Sequence, residues 1–362
     1  MFLTEKLVIW KALKMSVKES SLRDLIKAHK DFWRMKNSKP LLRVRRYSPL
    51  RSDVKIPLSD GRSVSDNVAL DPDLIDPKLF IQRLDEYRKA SLITGDFIEF
   101  LAPYDLCWTQ AFIGCPIRVS SGKVWSEPFL KDITELKFSN LKVDRRWFNK
   151  LLEFTESLIE YSAGRYPIVQ PLFRGPIDMA ASALGPDKLC IAAYKHKEDL
   201  AVFLDFFAQT FIKALKAQAD LTPRFHGEYS CMYGIWAPKP ICRTQADHTV
   251  LISPKLYEKV FLPHDLTIIK AFDYTIFHLH SATIHIAEAL VEIPELSAIQ
   301  VSIDYPARAF SPSIKELLPI LKKIHDNKPL ILSGPVKEKE KRLILDELIP
   351  EGLALQLYIL NR

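Results

Sequence analysis

From Ser20 to Lys36 the apolar side recurs at helical spacing through Leu22, Leu25, Ile26, His29, Phe32 and Trp33. With Ser20 or Ser21 available as a cap, this predicts an amphipathic helix. Residues 37–75 break that rhythm: Pro40, Pro49, Pro57 and Pro72 stand among polar and basic residues and predict an irregular, extended arm. Further helices are predicted over 80–90 and 147–163. Beyond them short β-rich runs alternate with helical segments, the pattern of βα units and a parallel sheet. Strands are predicted at 97–101, 167–172, 188–193, 229–236, 275–280, 298–304, 329–334 and 354–360. The helices between them are predicted at 176–184, 197–218, 253–270, 282–291, 312–326 and 337–347. An α/β fold that closes as a (β/α)8 TIM barrel is the economical solution, although a doubly wound sheet shares the rhythm. The expected organisation is an N-terminal helix and basic extended arm over residues 1–80, then the barrel over 81–362.

Composition narrows the class. A chain of 362 residues with 48% hydrophobic and 26% charged positions can bury a large core, which excludes a disordered chain. No run reaches the roughly 20 apolar residues of a membrane span, and Met1–Met15 lacks the apolar length and small-residue cleavage site of a signal peptide. Cys107, Cys115, Cys190, Cys231 and Cys242 show no CxxC spacing, which argues against a disulfide framework or a zinc ribbon. The expectation is a cytoplasmic protein with reduced thiols and no membrane partner. The net charge of +7 owes much to Lys36, Lys39, Arg43, Arg45, Arg46 and Arg51. With Tyr47 as the sole interleaved aromatic, this cluster reads as a solvated or anion-attracting surface, and nucleic acid is not an expected partner.

In a parallel barrel the chemistry sits where strands end. The run Thr275-Ile276-Phe277-His278-Leu279-His280 puts His278 and His280 on one side of an extended segment, able to bind a metal or shuttle a proton. Two histidines fall short of a zinc site, and Asp247, Glu228 and Cys231 are the candidate third ligands. Asp247, in Gln245-Ala246-Asp247-His248, is also a candidate general base or orienting partner; a plain loop acid is its bland alternative. Arg174 follows strand 167–172 and could clamp a carboxylate, with Asp178 facing the mouth from a helix start, though helix capping would equally explain the turn. Asp304 and Ser333, at or near strand ends, are further substrate contacts, and Tyr233 and Trp236 could form an aromatic wall or simply pack the core. No P-loop, dinucleotide fingerprint, GxSxG or HExxH occurs.

The stretch Leu251-Ile252-Ser253-Pro254-Lys255-Leu256-Tyr257-Glu258-Lys259-Val260-Phe261-Leu262-Pro263, followed by Phe277-His278-Leu279-His280, resembles the uroporphyrinogen decarboxylase superfamily. Pro167–Asp178 and Asp247 share the likeness, which extends over about residues 80–360. It implies a (β/α)8 barrel, and in one branch it implies methyl transfer with a corrinoid cofactor and zinc held by a His-x-Cys motif and a distant Cys. Here His278 matches the His, His280 replaces the Cys, and no cysteine follows Cys242. The decarboxylase branch carries an Arg-rich MRQAGR motif that is missing from this chain.

The leading expectation is therefore a methyltransferase-type enzyme moving a methyl group between a small methylated substrate and a corrinoid on a partner protein. His278, His280 and Asp247, or a zinc ion they hold with Glu228 as a further ligand, would assist. The alternatives are a carboxy-lyase acting on a small or tetrapyrrolic acid, and a non-catalytic ligand-binding paralogue. The resemblance also makes a homodimer a candidate assembly.

Overall fold

A computed structural model describes residues 19–46, 56–60, 63–64, 68–87, 92–120, 123–135, 141–305 and 311–360. Met1–Met15, Tyr47 and Arg51 lie outside them. The fold is α/β, built on a six-stranded parallel sheet: β1 (Leu41–Arg46), β2 (Ile241–Gln245), β3 (Tyr274–His280), β4 (Ala298–Ser302), β5 (Leu330–Val336) and β6 (Leu353–Ile359), in the spatial order β1-β6-β5-β4-β3-β2. Every neighbouring pair is parallel.

Helices connect the strands in the predicted rhythm, and local chemistry starts them. Asp144 caps Arg145–Ser162 by accepting from the Arg146 and Trp147 N–H groups. Pro176, whose missing N–H costs nothing in a first turn, opens Pro176–Leu184. Ser313 and Glu316 form a capping box at the start of Ile314–Asn327. The predicted helix 253–270 begins at Pro254 behind the Ser253 cap, passes through a π-helical turn at Tyr257–Phe261 and ends at Lys270.

Alternation along the strands gives the sheet two faces. One face, with Phe277, Leu279, Ile299, Val301, Leu330, Leu332, Leu353 and Leu355, packs on helical residues such as Phe203, Phe207, Leu290 and Leu321 in the main core. On the other face, Leu41, Ile241, Ile276, Ala298, Ile331 and Ala354 form a second apolar cluster with Phe32, Phe97 and Ile235. Two residues further along each strand that face turns polar, with Arg43, Arg243, His278, Gln300, Ser333 and Gln356. All but Ser333 of these are buried.

Five expectations are corrected. Of the predicted strand 97–101 only Phe97–Ile98 is extended in a sheet, paired antiparallel with Ile93–Thr94, and 167–172 holds only the isolated parallel bridge of Ile168 to Leu101, its end drawn off into the Gly175–Pro176 helix start. Residues 188–193 are helical, inside Pro186–Lys195, because Pro186 opens a helix and Leu189, Ala192 and Ala193 supply its buried stripe at helical spacing. Segment 229–236 forms no parallel strand: Tyr229–Ser230 pairs antiparallel with Trp236–Ala237 across a turn containing Gly234 at φ 70°. The parallel strand is instead the next segment, β2. The supposed irregular arm holds β1, whose register with β6 pairs Leu41 with Ala354 and Arg43 with Gln356. Arg43 is accordingly buried, donating to Gln356 Oε1 at 2.7 Å beside Glu99, which also pairs with Arg45 at 2.6 Å. Opposite charge close by turns these arginines from a free surface patch into sheet-anchored pairs.

The edges of the sheet are not bare. Ile98 N–H donates to Gly234 O, Asp96 bonds the Leu42 backbone, and Leu101 and Ile168 form a parallel bridge. At the far edge the Gln170 side chain acts as a surrogate strand, accepting from Arg243 N–H and donating to Arg243 C=O, both at 2.7 Å.

Candidate functional site

The polar face converges where β2, β3 and β4 end. β3 carries His278 and His280 at two-residue spacing, so both rings leave the same side, with centroids 4.8 Å apart. The turn that follows β2 brings Asp247 to them. One ligand-capable atom from each of Asp247, His278 and His280 lies within 4.8 Å of the others.

His278 is 8% exposed, and its Nδ1 is bonded to Gln300 Oε1 on β4. Burial, with the Arg243 and His280 charges adding, pushes its pKa well below the usual imidazole value, so the ring is neutral. Because Nδ1 is engaged, Nε2 is the nitrogen left for a ligand. His280 lies against Asp304, with Nδ1 at 3.0 Å from Oδ1, and its Nε2 stands 3.9 Å from Asp247 Oδ1, beyond hydrogen-bond reach. An imidazole held at one nitrogen by a carboxylate is the usual arrangement behind a metal ligand. Ser281 Oγ donates to the second Asp304 oxygen, which fixes that carboxylate.

Asp247 splits its oxygens. Oδ2 accepts from Gln245 Nε2 at 2.6 Å, whereas Oδ1 is buried and has no hydrogen-bond partner. Burial and the neighbouring Asp178 push its pKa up to about 6. A buried carboxylate oxygen without a donor, close to two imidazoles, fits a divalent cation, and two His with one carboxylate form an accepted ligand set for zinc or iron.

Asp178 is fully buried and its carboxylate is consumed by the chain. It accepts from Gln245 Nε2 and from the backbone N–H groups of Asp247 and His248, and lies 2.9 Å from His248 Nδ1. Burial alone would raise its pKa, but the bonds and charge of His248 outweigh burial and hold it below the usual carboxylate value. Asp178 thus ties down the turn that carries Asp247.

The remaining expected residues scatter. Arg174 donates its backbone N–H to Thr109 Oγ1, and its Nη1 is buried without a partner in the electrostatic neighbourhood of Asp178 and Asp247. Tyr233 reaches the polar face through its hydroxyl, which donates to Gln300 Oε1 at 2.9 Å, and Ser333 accepts from Gln300 Nε2 at 2.8 Å. Asp304 stands behind His280. Trp236 is fully buried, stacked on Phe225, and its carbonyl accepts from Trp33. Glu228 pairs with Lys30 on the helix Glu19–Trp33 at 2.6 Å and is not in the Asp247 cluster. Cys231 packs with the apolar cluster under the polar face.

Arg243, Gln245 and Gln300 were not singled out in the sequence. Their signal was present as polar residues at even spacing inside otherwise apolar strands, Ile241-Cys242-Arg243-Thr244-Gln245 and Ala298-Ile299-Gln300-Val301-Ser302.

No protein-family model matches the chain, and no curated protein matches it. Among solved structures it is similar to a methyltransferase from Methanosarcina mazei, at a TM-score of 0.57 and 15% identity, covering 92% of this chain and 93% of that one. At that identity the likeness speaks to the α/β fold alone. The homocysteine methyltransferase MmuM from Escherichia coli, in its metallated form, aligns over 63% of this chain and 89% of that one at 12% identity, with a TM-score of 0.27 too low to argue from. No helix among the described residues is long and apolar enough to cross a membrane.

Proposed function

We propose that the protein is a metal-dependent enzyme of methyltransferase type, working at the mouth of a closed eight-stranded barrel. The barrel reading rests on burial. Strands of an open parallel sheet covered by helices on both faces read as near-continuous apolar runs, whereas one face here carries Arg243, His278, Gln300 and Gln356, all buried. Segments 97–101 and 167–170, bridged to each other, would supply the two missing staves: Asp96, just before the first, bonds Leu42 on β1, and the Gln170 side chain in the second bonds Arg243 on β2.

The observation that carries the functional reading is the convergence of Asp247, His278 and His280 at strand ends, with Asp304 and Gln300 behind the two imidazoles. Zinc or a similar cation bound by these three would supply Lewis acidity at the atom that gives up or accepts the methyl group. The chain's own part is positional. Asp304 holds His280, Asp178 holds the turn of Asp247, and Arg174 is available to an anionic part of a small methylated substrate. The methyl acceptor in this reading is a corrinoid on a partner protein, and the catalyst is cytoplasmic.

A carboxy-lyase is the second reading, favoured by one observation: Arg174 Nη1 is buried without a partner near an Asp247 carboxyl raised to about 6. One assay separates the two. Zinc-loaded protein is incubated with reduced corrinoid and a panel of methylated amines, thiols and ethers, and the methylcorrinoid absorption band is followed. Its appearance with wild type and its loss with His278→Ala is the expected result. Carbon dioxide release from carboxylic acids by metal-free protein, without methylcorrinoid, would replace this reading with the lyase.

A further inference from the structure

We propose that Arg243, which is not itself in the Asp247 cluster, is the positioning residue that orients it, by fixing the direction of two hydrogen-bond relays. The proposal rests on the metal reading above but concerns the chain's own residues.

Arg243 is 3% exposed and lies in the middle of β2, on the polar face. A guanidinium only donates. Its Nε donates to Tyr233 Oη at 3.2 Å, so the single tyrosine hydrogen must point elsewhere, and the acceptor within reach is Gln300 Oε1 at 2.9 Å. That contact decides which way round the Gln300 amide sits: oxygen toward Tyr233, NH2 toward Ser333 Oγ at 2.8 Å. The same amide oxygen faces His278 Nδ1, and an oxygen that only accepts requires Nδ1 to carry the proton. Nε2 of His278 is thereby left with its lone pair, the form a metal needs.

The second relay has the same logic. Arg243 Nη1 donates to Gln245 Oε1, which turns the Gln245 NH2 toward carboxylates, at 2.6 Å from Asp247 Oδ2 and 3.0 Å from Asp178 Oδ2. Gln245 so occupies one oxygen of Asp247 and leaves Oδ1 on the side of His280. One buried cation therefore dictates the tautomer of one member of the cluster and the free oxygen of another. Amide and imidazole orientations are otherwise degenerate, since either end of Gln300 would fit the same space.

Arg243→Met would strip donors from a buried network and is expected to compromise folding, so the test is placed on Tyr233→Phe, which keeps the ring and breaks the relay. The His278 tautomer is read from nitrogen-15 chemical shifts of the metal-free protein, and the Zn2+ dissociation constant is measured by chelator competition. Wild type is expected to hold the Nδ1–H tautomer. Tyr233→Phe is expected to give a mixture and to weaken Zn2+ at least about 10-fold, the usual cost of losing an outer partner. Gln300→Glu, which keeps an accepting oxygen toward His278, is expected to retain the Nδ1–H tautomer.

An Nε2–H tautomer in wild type, or a tautomer unmoved by Tyr233→Phe, overturns the proposal whether or not metal binds. A protein that takes up no Zn2+ yet changes tautomer in Tyr233→Phe upholds the relay and sinks the metal reading instead.

Discussion

Leu41, Ile241, Ile276, Ala298, Ile331 and Ala354 lie near the starts of six strands and pack with Phe32 and Phe97, whereas two residues along each strand the same face carries Arg43, Arg243, His278, Gln300, Ser333 and Gln356. Floor and rim are nearly equally buried, yet they are held by different physics. The floor gains from area removed from water, roughly 25 cal/mol per Å2, and is indifferent to direction. The rim gains little net energy from each exchanged hydrogen bond but loses heavily if one is left unmade. Its members must therefore agree on who donates to whom, and that agreement is what a functional site requires. Stability is expected to sit in the floor and chemical definition in the rim.

The sharpest break in that comparison is His278→Ala with His280→Ala. The double variant is expected to fold and to lose essentially all of a near-stoichiometric metal content, as measured by elemental analysis. Its mirror image is Ile276→Ala in the floor, which is fully buried. Chemical denaturation should show a loss of about 2–4 kcal/mol, while Zn2+ affinity at temperatures where the variant is folded stays within a few-fold of wild type. Asp178→Asn removes the carboxylate that four donors approach around the Asp247 turn. It is expected to cost about 1–3 kcal/mol and to weaken Zn2+ about 10-fold.

A pH dependence sharpens the contrast between satisfied and unsatisfied burial. Asp265 is buried with a single donor, Tyr257 Oη at 2.7 Å, and its other oxygen has no partner. Burial pushes its pKa up to about 8, so the folded chain keeps a proton that the unfolded chain releases above 3.8. Its contribution to stability is thus present below pH 3.8 and is lost progressively as pH rises toward about 8. Asp265→Asn should abolish that slope, raising stability at pH 8 relative to pH 5 by about 2–4 kcal/mol over wild type in denaturant titrations.

The helices were legible because their starts are written locally, as in Ser313–Glu316 and Gly175–Pro176. So were β3 to β6, whose apolar runs are long enough to outweigh single polar residues. What misled is the rim itself. Arg43, Arg45, Arg243 and Gln245 made β1 and β2 look like loop or surface, because a charge pattern does not reveal that Glu99, Gln356 and Tyr233 will bury it. Residues 188–193 erred the other way, an apolar run whose period is helical once Pro186 is read as a start. His278, His280 and Asp247 were legible as a constellation from strand-end position. Asp304 and Asp178 were visible as polar residues near the mouth, but their place behind His280 and the Asp247 turn depends on contacts 24 and 69–70 residues apart in sequence. Glu228 was the least legible, since Lys30 that pairs with it lies in a distant helix.

X-ray absorption at the zinc edge, on protein loaded with one equivalent of Zn2+, tests most directly whether Asp247, His278 and His280 act as a metal site without sulfur. Two imidazoles and light-atom scatterers at about 2.0–2.1 Å, abolished in the double histidine variant, is the predicted spectrum. A sulfur shell near about 2.3 Å, or a spectrum of hydrated zinc alone, would contradict it.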